Sequence, residues 1–237
     1  MNDANPSLLT GNRLLSALSV EDLAFLRPRL EHATYSFGTI LAEPGDRLKK
    51  CFFPLKGMIS LLSVTEQGNA VEIAYTGREG MVGVPVLLGK QEMPYQAVVQ
   101  APTQCLVADV SAVVELFGRG GQFHDLLMRY IYAVIRQISQ TCVCNHYHTI
   151  EARLCRWLTV MAERSEGHRL QLTQEFLSHM LGVQRTSIGL IAHSIQQDGI
   201  IRYSRGNIEI IDLERLRASA CECYLIVEKE FDSLFGA

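Results

Sequence analysis

The sequence predicts an α+β chain built from an N-terminal antiparallel β-roll of the jelly-roll kind, a long helix, and a C-terminal winged helix-turn-helix. Three observations carry that prediction. Between residues 33 and 110, short apolar or alternating runs are punctuated by glycines. Between 122 and 147, apolar side chains recur at alternating steps of four and three. Residues 172–212, LTQEFLSHMLGVQRTSIGLIAHSIQQDGIIRYSRGNIEIID, read as two short helices around a glycine turn followed by a hairpin.

Residues 12–29 form a helical lead-in carrying Leu14, Leu15, Leu18, Leu23 and Leu26, with Leu30 at its edge. Strand-like runs follow at 39–42, 51–55, 58–64, 70–75, 97–101 and 103–109. Gly45, Gly57, Gly68, Gly77, Gly80, Gly83 and Gly89 mark the turns, a spacing that suits a closed or rolled antiparallel domain. Residues 111–117 read as a short helix. The long helix then carries Leu127, Ile131, Val134, Ile138 and Thr141 as a heptad seam, which wants a partner helix. A second copy of the chain is the economical partner, because a two-fold dimer would present two DNA-reading helices about one turn of duplex apart; packing on its own β-domain is the alternative.

Thr149 with Glu151 starts a further helix over 150–164, whose inner face is Leu154, Trp157, Leu158 and Met161. In the helix-turn-helix, Thr173 is a good N-cap and also a candidate DNA contact, and Glu175 sits in the first turn where the helix dipole favours an acid. Gly182 ends that helix where a left-handed residue is needed. The second helix, 184–197, buries Ile188, Ile191, Ala192 and Ile195, and no acid interrupts its length. Its other face presents Gln184, Arg185, Thr186, Ser187, Gly189, Leu190 and His193. Arg185 has the planar fork that matches guanine or phosphate, Ser187 can donate to a phosphate oxygen, and Gly189 allows a close backbone approach. Leu190 either touches a thymine methyl or tucks into the core. Arg202 and Arg205 of the hairpin are placed for the DNA backbone. A tail helix is expected over 213–234, with Cys221 and Cys223 as packing residues.

These elements divide the chain into a β-roll domain (12–121), a dimerisation helix and hinge (122–148), and a DNA-binding domain with its tail (149–237). Composition is consistent with that division, since 237 residues at 48 % hydrophobic content can support two modest cores. No apolar stretch approaches a bilayer span, and MNDANPSLLT lacks the features of a signal peptide, so no membrane partner is expected. Seven cysteines without a framework spacing suggest reduced thiols in a cytoplasm. The net charge of −3 is not that of a non-specific nucleic-acid binder. Residues 168–217 hold six arginines against five acids, so specific contacts must carry much of the binding. There is no Walker loop, dinucleotide fingerprint or serine elbow; no enzyme activity and no cofactor are expected.

The order of β-roll, long helix and winged helix-turn-helix resembles the Crp/Fnr superfamily of bacterial transcription regulators. The resemblance is most specific at FGTILAEPGD (37–46), at Lys56 and Gly57, at TGREGMVGVPVLLG (76–89) and in the helix-turn-helix. It implies a cyclic-nucleotide-binding-like roll, a homodimer, double-stranded DNA as partner and RNA polymerase as a further candidate. Family members that bind cyclic AMP use a glutamate for the ribose and an arginine, followed by a hydroxyl residue, for the phosphate. Here Val84, Tyr95 and Gln96 stand at those positions, so the pocket is degenerate and tight cyclic AMP binding is not expected. In the recognition helix Arg185 matches the family, whereas Thr186 and Leu190 replace a glutamate and a second arginine, so the usual operator does not carry over.

Cys142, Cys144, His146 and His148 alternate near the hinge. On a helix they form two i,i+4 pairs on nearly opposite faces, so they are either polar filling or, if the chain unwinds or a dimer mate contributes, a metal site. The N-terminal cysteine cluster of the iron–sulfur members is absent, since Cys51 is the first cysteine. The expected function is a sequence-specific transcription regulator. A metal or redox sensor, and a ligand-binding module acting on a protein partner, are the alternatives.

Overall fold

The computed structural model describes residues 11–165, 168–204 and 206–236. The lead-in is two short helices, α1 (Arg13–Ser16) and α2 (Val20–Leu26). Asn12 caps the first by accepting from Leu15 N. Its fully buried amide also donates to Pro54 O (2.9 Å) and Gly80 O (2.8 Å), which fastens the N-terminal segment to the roll. Ser19 caps the second, accepting from Asp22 N at 3.0 Å. Leu30, grouped with the helical leucines in the sequence, instead opens strand β1 (Leu30–Tyr35) after a single tight turn that contains Pro28.

The strands β2 (Ile40–Ala42), β3 (Lys50–Val64), β4 (Ala70–Thr76) and β5 (Gln96–Asp109) complete an antiparallel five-stranded sheet in the order β1-β5-β3-β4, with β2 also on β5. The runs expected at 51–55 and 58–64 are one strand bent at Gly57, and those at 97–101 and 103–109 are likewise one strand. Gly57 has φ +86°, and a side chain there would lie 2.7 Å from Pro102 O and 2.8 Å from Thr103 Cα. The pairing shifts at this point between Lys56↔Gln104 and Met58↔Ala101, a bulge that curls the sheet. Phe53, Met58, Ile59 and Leu106 fill the interior. A short helix, α3 (Val84–Leu87), follows Gly83 in a segment read from the sequence only as a ligand cassette.

Helix α4 (Val110–Gly118) leads into α5 (Gly121–Tyr147), the long helix. The Tyr130 hydroxyl of α5 donates to Met81 O (2.9 Å) and accepts from Met81 N (3.0 Å), so this helix is tied directly to the roll. Helix α6 (Ile150–Arg164) begins at the Thr149 cap predicted for it and lies between the roll and the C-terminal elements. Its Trp157 is 1 % exposed and donates to the buried Glu72 of β4 at 3.2 Å, and the Ser60 hydroxyl donates to the same carboxylate. Burial raises the Glu72 carboxyl above its ordinary range, with Ser60 and Arg156 opposing that shift. Arg164 stands between Glu79 (3.5 Å) and Glu228 (2.9 Å), joining α6 to a roll loop and to the tail.

The C-terminal part contains β6 (Arg169–Gln171), α7 (Gln174–Leu181), α8 (Arg185–Gln197), β7 (Ile201–Ser204) and β8 (Asn207–Ile210), with sheet order β6-β8-β7. Helix α7 packs on β4; beside that contact Gln100 of β5 donates to Met180 Sδ at 3.2 Å, and Phe37, between β1 and β2, meets Phe176 with ring centres 5.3 Å apart. The tail is not the single helix expected over 213–234. It is α9 (Leu213–Ser219) and α10 (Cys223–Ser233), separated by an extended Ala220, and the break lets α10 fold back along α5.

Candidate functional site

The outer face of α8 is the candidate nucleic-acid interface. Gly182 ends α7 in the left-handed conformation (φ 61°), while Thr173 caps its start by accepting from Phe176 N at 3.1 Å. Ile188, Ala192 and Ile195 are buried and anchor α8 to the domain. Gln184, Arg185, Thr186 and His193 are exposed, and Ser187 is half-buried. Leu190 is 75 % exposed, which decides between its two sequence readings: it does not tuck into the core. Gly189 needs a correction, because the space its missing side chain leaves is taken by the Gln174 amide, 3.2 Å from where a Cβ would sit. That glycine brings α7 and α8 together rather than leaving the helix backbone bare for an approaching strand.

The hairpin needs a second correction. Arg202 is not a free cation, since Glu209 accepts from it at 2.8 Å and also pairs with Arg169 of β6 at 3.2 Å. Hydrogen bonding from Arg169, then the field of both arginines, holds the Glu209 carboxyl below its ordinary range. Arg205 lies outside the described residues.

The long helix turns its predicted seam inward. Leu127 is fully buried, Ile131 and Val134 are buried, and Ile138 and Thr141 are half-buried, all within one protomer. The exposed apolar stripe is displaced by one residue: Met128 (47 %), Tyr132 (56 %) and Ile135 (55 %), continued by Ser139, Cys142 and His146 at the same heptad steps. Ile131, Val134, Ile135 and Ile138 wall a cavity of about 810 Å³ between α5 and the roll. Val84 and Tyr95 line it as the sequence reading places them, but Gln96 does not. Its amide instead donates to Glu43 at 2.9 Å. Lys90 and Glu92 are the charged groups among the described residues of the wall, which contains no arginine. Burial pushes the Tyr95 hydroxyl up to about 12, so it is an uncharged phenol.

At the hinge the structure gathers a cluster that the sequence only half revealed. Cys144 and His148, one turn apart at the end of α5, meet Cys221 and Cys223 from the break between α9 and α10, with all four donor atoms within 4.8 Å of one another. Cys144 Sγ is 3.5 Å from Cys221 Sγ, and Cys223 Sγ is 3.4 Å from His148 Nδ1. A hydrogen bond from Cys221 pulls the Cys144 thiol below its ordinary range. Cys142 and His146 are exposed on another face and take no part. Cys221 and Cys223, expected as packing residues, were missed because the spacing of the tail suggested one unbroken helix. A Cys-x-Cys pair at residues 221 and 223, just after Ala220, was the available clue.

No helix among the described residues is long and apolar enough to cross a membrane. Residues 33–119 match the model of the cyclic nucleotide-binding domain, and residues 152–219 match that of the Crp-like helix-turn-helix domain. The chain is 21 % identical over 177 residues to the cAMP-activated global transcriptional regulator Vfr of Pseudomonas aeruginosa, covering 70 % of this chain and 83 % of that one. It is 22 % identical over 186 residues to the global nitrogen regulator of a Nostoc species, covering 75 % and 83 %. A Crp/Fnr-family crystal structure from Eubacterium rectale superposes with a TM-score of 0.71 at 14 % identity, covering 89 % of this chain and 98 % of that one. The first of these relatives is a transcriptional regulator and the second a regulator of nitrogen.

Proposed function

The chain belongs to the Crp/Fnr family of transcription regulators, and from that premise we propose that it acts as a homodimer whose two α8 helices read a two-fold operator. The observation that carries this reading is the outer face of α8: Arg185, Thr186, Leu190 and His193 are solvent-facing, and no acid lies on the helix. The stripe Met128–Tyr132–Ile135 supplies the surface for pairing, because large apolar groups at heptad steps are left uncovered by the protomer. A dimer formed through it sets two recognition helices against major grooves about 34–36 Å apart on one side of the duplex.

Arg185 then specifies bases or clamps phosphate, with Thr186 and His193 beside it and Leu190 positioned for a thymine methyl. Arg202 is a weaker backbone contact, since Glu209 shares its charge. The roll does not take cyclic AMP tightly: a cyclic phosphate in the cavity would face Val84 and Tyr95 where charge compensation is required, and an unpaired buried anion is strongly disfavoured. A contact with RNA polymerase belongs to the same reading, as does a cytoplasmic address.

The test is a gel-shift and anisotropy series on the DNA upstream of its own coding region, across a range of salt. A palindromic footprint bound by two protomers, with affinity falling as salt rises, supports the reading. Binding of one protomer per site, or none at any salt, overturns it.

A further inference from the structure

The Crp/Fnr assignment gives no work to the buried thiols at the hinge. We propose that Cys144, His148, Cys221 and Cys223 hold one zinc(II) ion, which clasps the tail to the C-terminal end of the long helix. Three thiols and one imidazole make up a complete tetrahedral donor set for zinc, and a closed four-donor shell marks a structural rather than a catalytic site. With zinc–sulfur bonds of about 2.3 Å, tetrahedral geometry puts sulfur atoms roughly 3.8 Å apart. The observed 3.5 Å between Cys144 and Cys221 and 3.4 Å between Cys223 and the His148 ring are already close to that arrangement.

The surroundings point the same way. The three cysteines are 0 %, 7 % and 1 % exposed and form a small cluster of their own, apart from the main apolar core. His148 Nε2 lies 3.2 Å from Glu222 Oε1. A proton on Nε2 donates to that carboxylate and leaves the Nδ1 lone pair facing the sulfurs, the usual way a ligating imidazole is oriented. Gln140 donates to Cys223 Sγ at 3.0 Å, as amides do to metal-bound thiolates. On binding, three thiol protons leave to solvent as three zinc–sulfur bonds form, and the neutral imidazole supplies the fourth pair, so the site carries one net negative charge. The guanidiniums of Arg153 and Arg156 interact with Cys144 and Cys221 and offset it. A disulfide would use two of the thiols and leave the third thiol and the oriented imidazole without a role.

This inference stands independently of operator reading, so its test is metal content. Full-length protein, freed of any affinity tag and purified under reducing conditions without chelator, should contain about one zinc per chain by mass spectrometry. Cys142→Ser should keep it, while the double variant Cys221→Ser, Cys223→Ser should lose roughly tenfold or more of it. Glu222→Gln should weaken zinc affinity by about tenfold in a chelator competition, an effect that simple packing would not give. Exchange with cobalt(II) should bring a sulfur-to-cobalt charge-transfer band and the visible bands of a tetrahedral centre. If the serine variant does not fold, Cys223→His keeps a four-donor set and should retain cobalt with a weakened charge-transfer band. Protein that stays metal-free after incubation with zinc or cobalt under reducing conditions overturns the site, as does a Cys144–Cys221 disulfide in anaerobically purified protein.

Discussion

The two faces of the long helix α5 carry similar side chains to different ends. On the inner face Leu127, Ile131 and Val134 are buried against the roll, the last two walling its cavity; one residue further on, Met128 and Tyr132 stand in solvent, and Ile135 is more than half exposed beside that cavity. An apolar heptad position reports only that a side chain wants covering, not whether its own domain or a second molecule covers it. Two adjacent stripes on one helix can therefore answer to two different requirements, folding on one side and association on the other.

Tyr132→Asp is the sharpest way to break that contrast. It should convert the proposed dimer to monomer and cut operator affinity by a hundredfold or more, because an unpaired carboxylate buried in such a helix seam would cost about 3–5 kcal/mol. Sedimentation at matched concentration checks this, and the melting of the monomer itself should move little. Leu127→Ala tests the opposite face: it should lower unfolding free energy by about 2–5 kcal/mol in urea titration while the dimer stays intact. If both variants changed association alike, the two-face reading would fail. Arg185→Ala should leave both faces untouched, preserving assembly and stability while removing about 1–3 kcal/mol of specific DNA binding. The smallest effect is expected from cyclic AMP, which should raise the melting stability by less than about 0.5 kcal/mol even at high concentration, since ligand-linked stabilisation needs a filled site. A larger shift would mean that the inner face does respond to that nucleotide.

The sequence made much of the architecture legible, because helix caps and periodicity are local. Thr149 and Thr173 start helices where side-chain acceptors are needed, and Gly182 ends one in the left-handed conformation. What stayed hidden depended on distant partners. Leu30 continues a leucine series and yet pairs with Ala108 across the sheet. The inward turn of the α5 seam is fixed by the roll it meets, and the pairing of Arg202 with Glu209 by hairpin register. Gly189 looked like a concession to DNA and serves Gln174 instead. The hinge cluster was half visible: Cys144 and His148 share a helix face in any reading, whereas Cys221 and Cys223 join them only because the tail breaks at Ala220.

The chain's sole tryptophan sits where the roll meets the C-terminal elements. Trp157 is sealed by Glu72 on one side and stacked edge-on with Phe176 of α7 on the other, ring centres 5.9 Å apart. Its indole is thus a built-in optical gauge of that seam: any signal that prises the two halves apart should shift its emission to longer wavelength and open it to collisional quenchers, with no dye attached.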